Sequence, residues 1–194
     1  MNPIEHLFIG WTAANVVPLS RRDRALVTLA SIIPDLDGFG LVPELVTRGT
    51  KHEVFWWTDY HHILCHNIGF VTVCTALAAL VATRGERAKT ALLVAISFHL
   101  HLLGDVIGAR GPDGYQWPIP YLLPFSNAWQ WAWSGQWALN AWQNFVIMFG
   151  CFAFTFWCAR KHGRSPLELI SLRADAAFVA AVRQRFPGRV SIGA

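Results

Sequence analysis

Hydrophobic residues along this 194-residue chain gather into five runs, at about 4–18, 25–40, 67–83, 90–108 and 144–159. Runs of this length, rich in Ala, Leu, Val and Phe, predict helices rather than strands. Each lies at or just under the ~20 residues that a helix needs to cross a bilayer. Pro34 and the pair Gly38-x-Gly40 predict a break near the end of the second run. Between 110 and 143 the pattern fails: Trp117, Trp129, Trp131, Trp133, Trp137 and Trp142 are interleaved with Pro112, Pro118, Pro120 and Pro124. This segment is too interrupted to span and reads as a re-entrant or interfacial cap; the plainer alternative is a soluble aromatic loop packed on the bundle. After residue 164, Ser165-Pro166-Leu167-Glu168 has the form of a capping box. Leu172, Ala176, Val179, Ala180 and Phe186 then form a loose apolar stripe beside Arg173, Arg183 and Arg185. The expected architecture is all-α. A membrane-embedded bundle of about five apolar helices fills residues 1–164, with 110–143 as its Trp/Pro-rich cap, and 165–194 forms an amphipathic cytoplasmic tail.

Composition agrees with a membrane setting, at 54% hydrophobic and 14% charged residues with ten Trp, which suit headgroup-level aromatic belts. The net charge of +4 is spread in short clusters between apolar runs, not along a stripe. Membrane lipids are therefore the expected partners, and nucleic acid is not. The N-terminus has no positive region and no small-residue cleavage site, so the first run is expected to stay in the mature protein. The cysteines show no metal or disulfide spacing. Cys74, Cys151 and Cys158 read as buried small hydrophobes, and Cys65 alone lies among the histidines. On an alternating path through five spans, all Lys and Arg except Arg48, Lys51 and Arg110 fall on one side. The positive-inside rule then puts the N-terminus outside and the C-terminus in the cytoplasm.

Seven of the eight histidines precede residue 102, beside carboxylates and apolar runs. The blocks are Glu5-His6, Pro34-Asp35-Leu36-Asp37, Asp59-Tyr60-His61-His62-x3-His66 and His99-x-His101-x3-Asp105. Isolated in lipid, each group would cost several kcal/mol; around a cation they satisfy one another. In the five-span topology all four blocks arrive at the outer face. His101 and Asp105 lie one turn apart on one helix face, and His62 and His66 share that spacing. With Asp35 and His6 they supply enough nitrogen and oxygen ligands for zinc, or for manganese. The absence of a soft ligand pair disfavours copper(I) or a cluster. His99 faces elsewhere and reads as packed or supporting. His52 and His162 read as solvated, Glu5 as a partner of His6 or a surface charge, Asp59 as a helix cap and Asp113 as turn chemistry.

At these blocks the chain resembles the YdjM-type family of membrane-bound proteins assigned as metal-dependent hydrolases, some of them LexA-regulated in bacteria. His6 matches the family's early histidine, and Ile33-Pro34-Asp35-Leu36-Asp37 its Leu/Ile-Pro-Asp-x-Asp block. His61 and His66 fall on the two histidines of His-Arg-Gly-x-Thr-His-Ser, and His101 and Asp105 match Ser-His-x3-Asp. The family's Arg is His62 here, its Thr is Cys65, its Ser is Asn67, and the histidine often following the second Asp is Gly38. The order of ligands is also similar, distantly, to the zinc-dependent phospholipase C and P1-type nuclease superfamily. These resemblances imply a multi-pass protein of the bacterial inner membrane with one or two divalent ions, a metal-activated water and a phosphodiester substrate borne by lipid or envelope. Asp35, His66, His101 and Asp105 are the first ligand candidates, with His6, His61 and Asp37 next. Asp37 or His62 is the candidate general base or orienting group. The rival expectation is a membrane metal-binding or transport protein without hydrolytic activity, and a third is a largely soluble, membrane-associated helical domain.

Overall fold

A computed structural model describes residues 1–187; Arg189 and the end of the expected tail lie outside the described residues. The described chain is helical, with two isolated β-bridges, Arg110 to Ala138 and Ile119 to Trp131. Helix α1 (Pro3–Ala14) starts on a capping box: Asn2 accepts from the amides of Ile4 and Glu5, and Glu5 returns a carboxylate to the Asn2 amide. Glu5 is thus spent on the helix end and touches neither His6 nor solvent as expected. Helix α2 (Arg21–Ala30) is capped by Ser20. Pro34 then forces the chain into a 3-10 segment, Ile33–Gly40, which runs on into α3 (Leu41–Thr47). A short α4 (Trp56–Tyr60) precedes α5 (Ile68–Val81), whose cap is Asn67 rather than Asp59. Helix α6 (Arg87–Gly108) is long and unbroken, and α7 (Trp142–His162) stops at the left-handed Gly163. A 3-10 turn (Pro166–Leu169) and α8 (Leu172–Arg185) complete the described chain.

Two helices, α6 and α7, are long and apolar enough to cross a membrane, and a third crossing results if α2 and Ile33–Thr47, bent by 46°, count as one. The expectation of about five spanning helices is corrected here. The 12 residues of α1 and 14 of α5 rise about 18 and 21 Å, against about 30 Å of hydrocarbon. Their apolar runs are long in sequence, but caps and proline-bearing turns consume the ends. Helix α6 is the central post, packed by α5, α1 and α2, while α7 lies against α1. Ala14, Val27, Ala30, Ala78, Leu93 and Val94 form one core cluster, and Val71, Phe98, Leu102, Val106 and Ile119 another. Gly10 permits the close crossing of α1 and α2, since a Cβ there would sit 1.9 Å from Ser31 Oγ. Phe145, Phe149, Leu77, Leu80 and Leu92 leave an outer apolar surface exposed, as expected of lipid-facing positions.

The bundle has two chemically different ends. At one, the start of α1, the kink after α2 and the end of α6 meet: Ser31 Oγ donates to the His6 carbonyl, and Asn144 at the start of α7 donates to the Gly108 carbonyl. At the other, Asp23 accepts from the Thr83 amide, Lys89 donates to the Pro18 carbonyl and Arg164 to Asn15. Arg24 grips Glu168 with two bonds of 2.8 and 2.7 Å, both side chains buried. The expected capping box at Ser165 therefore forms only in part: Glu168 turns to Arg24, and Asp175 takes the Ser165 amide. The tail is docked, with Val179 and Val182 packed on Ala159.

Removing one partner of this pair strands the other as a buried charge. Glu168→Ala is expected to destabilise the protein by about 3–5 kcal/mol in denaturant unfolding. Glu168→Leu with Arg24→Met should recover much of that loss.

Candidate metal centre

The kink after α2 does the first part of the construction. By ending α2 at Ser31 it aims a backbone carbonyl at His101, whose Nδ1 lies 2.9 Å away. A carbonyl only accepts, so Nδ1 carries the proton and Nε2 is bare. The 3-10 segment does the second part by burying Asp37 behind the histidine loop. Asp37 Oδ2 accepts from His66 Nδ1 at 3.0 Å and from the Cys65 amide at 3.2 Å. His66 therefore also turns a bare Nε2 inward. These two nitrogens meet 3.1 Å apart. Asp105 Oδ2 lies 3.0 Å from the first and 3.5 Å from the second, and Asp35 Oδ1 is 3.8 Å from His101 Nε2. Four electron-rich atoms thus converge with no donor hydrogen between them.

Positive charge is what this arrangement attracts. Burial works against a charged His66 ring, but Asp105 and Asp37 and their charges push its pKa up to about 9, so that without an ion a proton on Nε2 takes the place of the cation that the neutral ring would face. Asp35, His66, His101 and Asp105 form a group able to hold a metal ion, their ligand atoms all within 4.8 Å of one another. Tetrahedral zinc with bonds of about 2.0–2.1 Å would hold its ligand atoms about 3.3–3.4 Å apart, close to the spacings given above. The residues therefore fit such an ion.

The other expected residues surround this group rather than join it. His6 is fully buried and donates from Nε2 to Asp105 Oδ1 at 3.0 Å, where the Met1 amino nitrogen also lies, at 2.5 Å. His61 stands on the far side of Asp37, its Nδ1 2.8 Å from Oδ1. His62 has a left-handed backbone, φ +65°, which side chains other than glycine seldom adopt. Its Nε2 is 4.0 Å from Asp105 Oδ2. Burial, with the neighbouring His66 ring, holds its pKa well below the ordinary value. Cys65 offers its amide; burial pushes its thiol up to about 11. His99 leaves the centre altogether, bonding the Tyr121 hydroxyl at 2.7 Å and the Ala95 carbonyl. His52 and His162 are exposed, and Asp113 closes a turn on the Tyr115 amide.

Residues 110–141 form a cap over this end. Ile119 is buried against the α5–α6 core, and Gln136 donates to the Asp105 carbonyl at 2.6 Å. Trp117 lies against His61 and His62, at 5.6 and 5.3 Å between ring centroids. A cavity of about 450 Å³ opens between cap and bundle, with Asp35, Phe39, Trp57, His61, His62 and Trp117 in its walls. Ser31, Gln136 and Trp57 are the contributors that the sequence did not suggest, while Trp117 belongs to the expected cap. Only Trp57 left a readable trace, four residues before His61, where its ring stacks on the imidazole at 3.8 Å.

The model of the YdjM inner membrane protein family matches residues 1–185. This chain belongs to that family. Its buried His/Asp group and its helices of membrane-crossing length accordingly sit in an inner membrane protein family. No curated protein and no solved structure matches the chain.

Asp37 satisfies three donors from a side chain with no exposure. Its loss leaves them unpaired at about 1–3 kcal/mol each. Asp37→Ala should therefore lower thermal stability more than Asp113→Ala, which alters an exposed turn; differential scanning calorimetry in detergent measures the gap.

Proposed function

We propose that this protein is a membrane-bound, metal-dependent hydrolase acting on an ester, foremost a phosphodiester of a lipid or envelope-borne substrate. The observation that supports this reading is the pair of bare imidazole nitrogens 3.1 Å apart, with two carboxylates beside them and one of these, Asp35, in a cavity wall. Asp35, His66, His101 and Asp105 would hold the ion. Two nitrogens and two oxygens suit zinc first and manganese second. The remaining Asp105 oxygen is engaged by His6 and the Met1 amino nitrogen, so we assign one ion. Bound there, the ion supplies an acidified water and positive charge for the developing oxyanion.

The chain's own residues do the rest. Asp37 and the Ser31 carbonyl fix the tautomers of His66 and His101, and His6 fixes the rotation of Asp105. Phe39, Trp57 and Trp117 give the cavity an apolar wall, and no Lys or Arg among the described residues lines it. Such a site suits a singly charged diester carrying an apolar group better than a doubly charged phosphomonoester. Orientation follows from the two ends of the bundle. Arg21, Arg22, Arg24, Arg87, Lys89, Arg160, Lys161 and Arg164 belong to helix ends opposite the centre. By the positive-inside rule that end and the tail are cytoplasmic, and the centre lies near the outer face.

Metal analysis of the purified protein should find about one zinc or manganese per chain, matching the single four-residue group. His101→Ala and Asp35→Ala should each weaken retention at least about 10-fold and abolish cleavage in a screen of phosphodiesters and phospholipids. Unchanged metal content in both variants would sink the site, while bound metal without any cleavage would favour a metal-binding or transport role. In the same cells, a C-terminal reporter should read as cytoplasmic; a periplasmic signal would reverse the orientation.

A further inference from the structure

Resting on that hydrolase reading, we propose that His61 is the general acid of the reaction, the group that hands a proton to the departing alcohol, and that it is not a metal ligand. Three observations place it there. Its Nδ1 is held by Asp37 Oδ1 at 2.8 Å, so Nε2 is the free nitrogen. The Trp57 ring lies parallel to it at 3.8 Å and 23°, and Trp117 meets it edge-on at 5.6 Å. The ring is in the wall of two cavities, the one of about 450 Å³ that includes Asp35 and a second of about 210 Å³ lined by Thr58, Asn127 and Gln130. A clamped imidazole with one nitrogen facing substrate space is what proton transfer requires. Asp37 balances the charge of the protonated ring, and the indole face accommodates it.

The neighbours are less suited to the task. Asp37 is wholly enclosed and already carries three donors, so it acts as a positioning residue for His61 on one oxygen and for His66 on the other. His62 also lines both cavities, but its ring lies over His66, with centroids 4.5 Å apart, and its Nε2 is 4.0 Å from Asp105 Oδ2. In the step itself a water oxygen bonds to phosphorus as the bond from phosphorus to the leaving oxygen breaks. That oxygen takes the proton from His61 Nε2 and departs as an alcohol. The proton released by the attacking water restores His61, so charge and atoms balance over the cycle.

Two measurements test this. In cadmium-113-loaded, nitrogen-15-histidine-labelled wild-type protein, metal–nitrogen couplings should appear at His66 and His101 and be absent at His61. A coupling at His61 would overturn the proposal. The second measurement compares diesters that differ only in leaving group. His61→Gln should keep its metal yet lose about 100-fold or more on an alkyl alcohol leaving group, and far less on nitrophenolate, which departs without a proton. Equal losses on both substrates overturn the role of His61 and leave the hydrolase intact. Wild-type protein that holds metal and cleaves neither substrate overturns the hydrolase reading and this one with it.

Discussion

Two imidazole nitrogens, each with its partner nitrogen already committed as a donor, face one another at 3.1 Å inside an apolar bundle. Lone pairs in that position repel, and the nearby carboxylate oxygens add to the repulsion. In a medium of low polarity that repulsion is relieved by a proton or a metal ion between the groups. Much of the fold serves this constraint. The kink after α2 delivers the Ser31 carbonyl, the 3-10 segment buries Asp37, and α6 sets His101 and Asp105 one turn apart. The cap closes the end with Gln136 on the Asp105 carbonyl.

The same economy explains why the bundle is uneven. A helix that must end at the centre cannot also extend across a bilayer. Helix α1 begins at its capping box directly beneath the cluster, α2 breaks there, and α5 begins only after the histidine loop has crossed it. Helix α6 passes the centre laterally and keeps full length, and α7 contributes Asn144 near this end. The shortened helices lie in the ligand-bearing layer, and the full-length α7 lies beside them.

The helical class, the positions of most apolar helices, the break at Pro34 and the four ligand blocks were legible in the sequence, because each rests on local chemistry: periodicity, a missing amide, or one-turn spacing. The assignment of roles among the histidines was not. Which residue faces the centre and which stands behind it depends on backbone direction in two pieces outside the α-helices, the 3-10 segment 33–40 and the turns of 61–66, where no α-helical periodicity exists to be read. The Ser31 carbonyl leaves no mark in the sequence, since any residue has one. Span number was overestimated because apolar content continues through turns that end a helix.

Gly38 leaves the cavity wall without a side chain beside two aromatic rings. A Cβ at this position would lie 3.3 Å from the Trp57 ring and 3.6 Å from the His61 ring. A side chain at this position would therefore press on the indole and touch the imidazole. Within the family, positions 38 and 57 should vary together, with a large residue at one accompanied by a small residue at the other. Branches divided by this exchange would present differently shaped entrances to the same four ligands, so that the repertoire of accepted molecules diverges while the centre beneath stays constant.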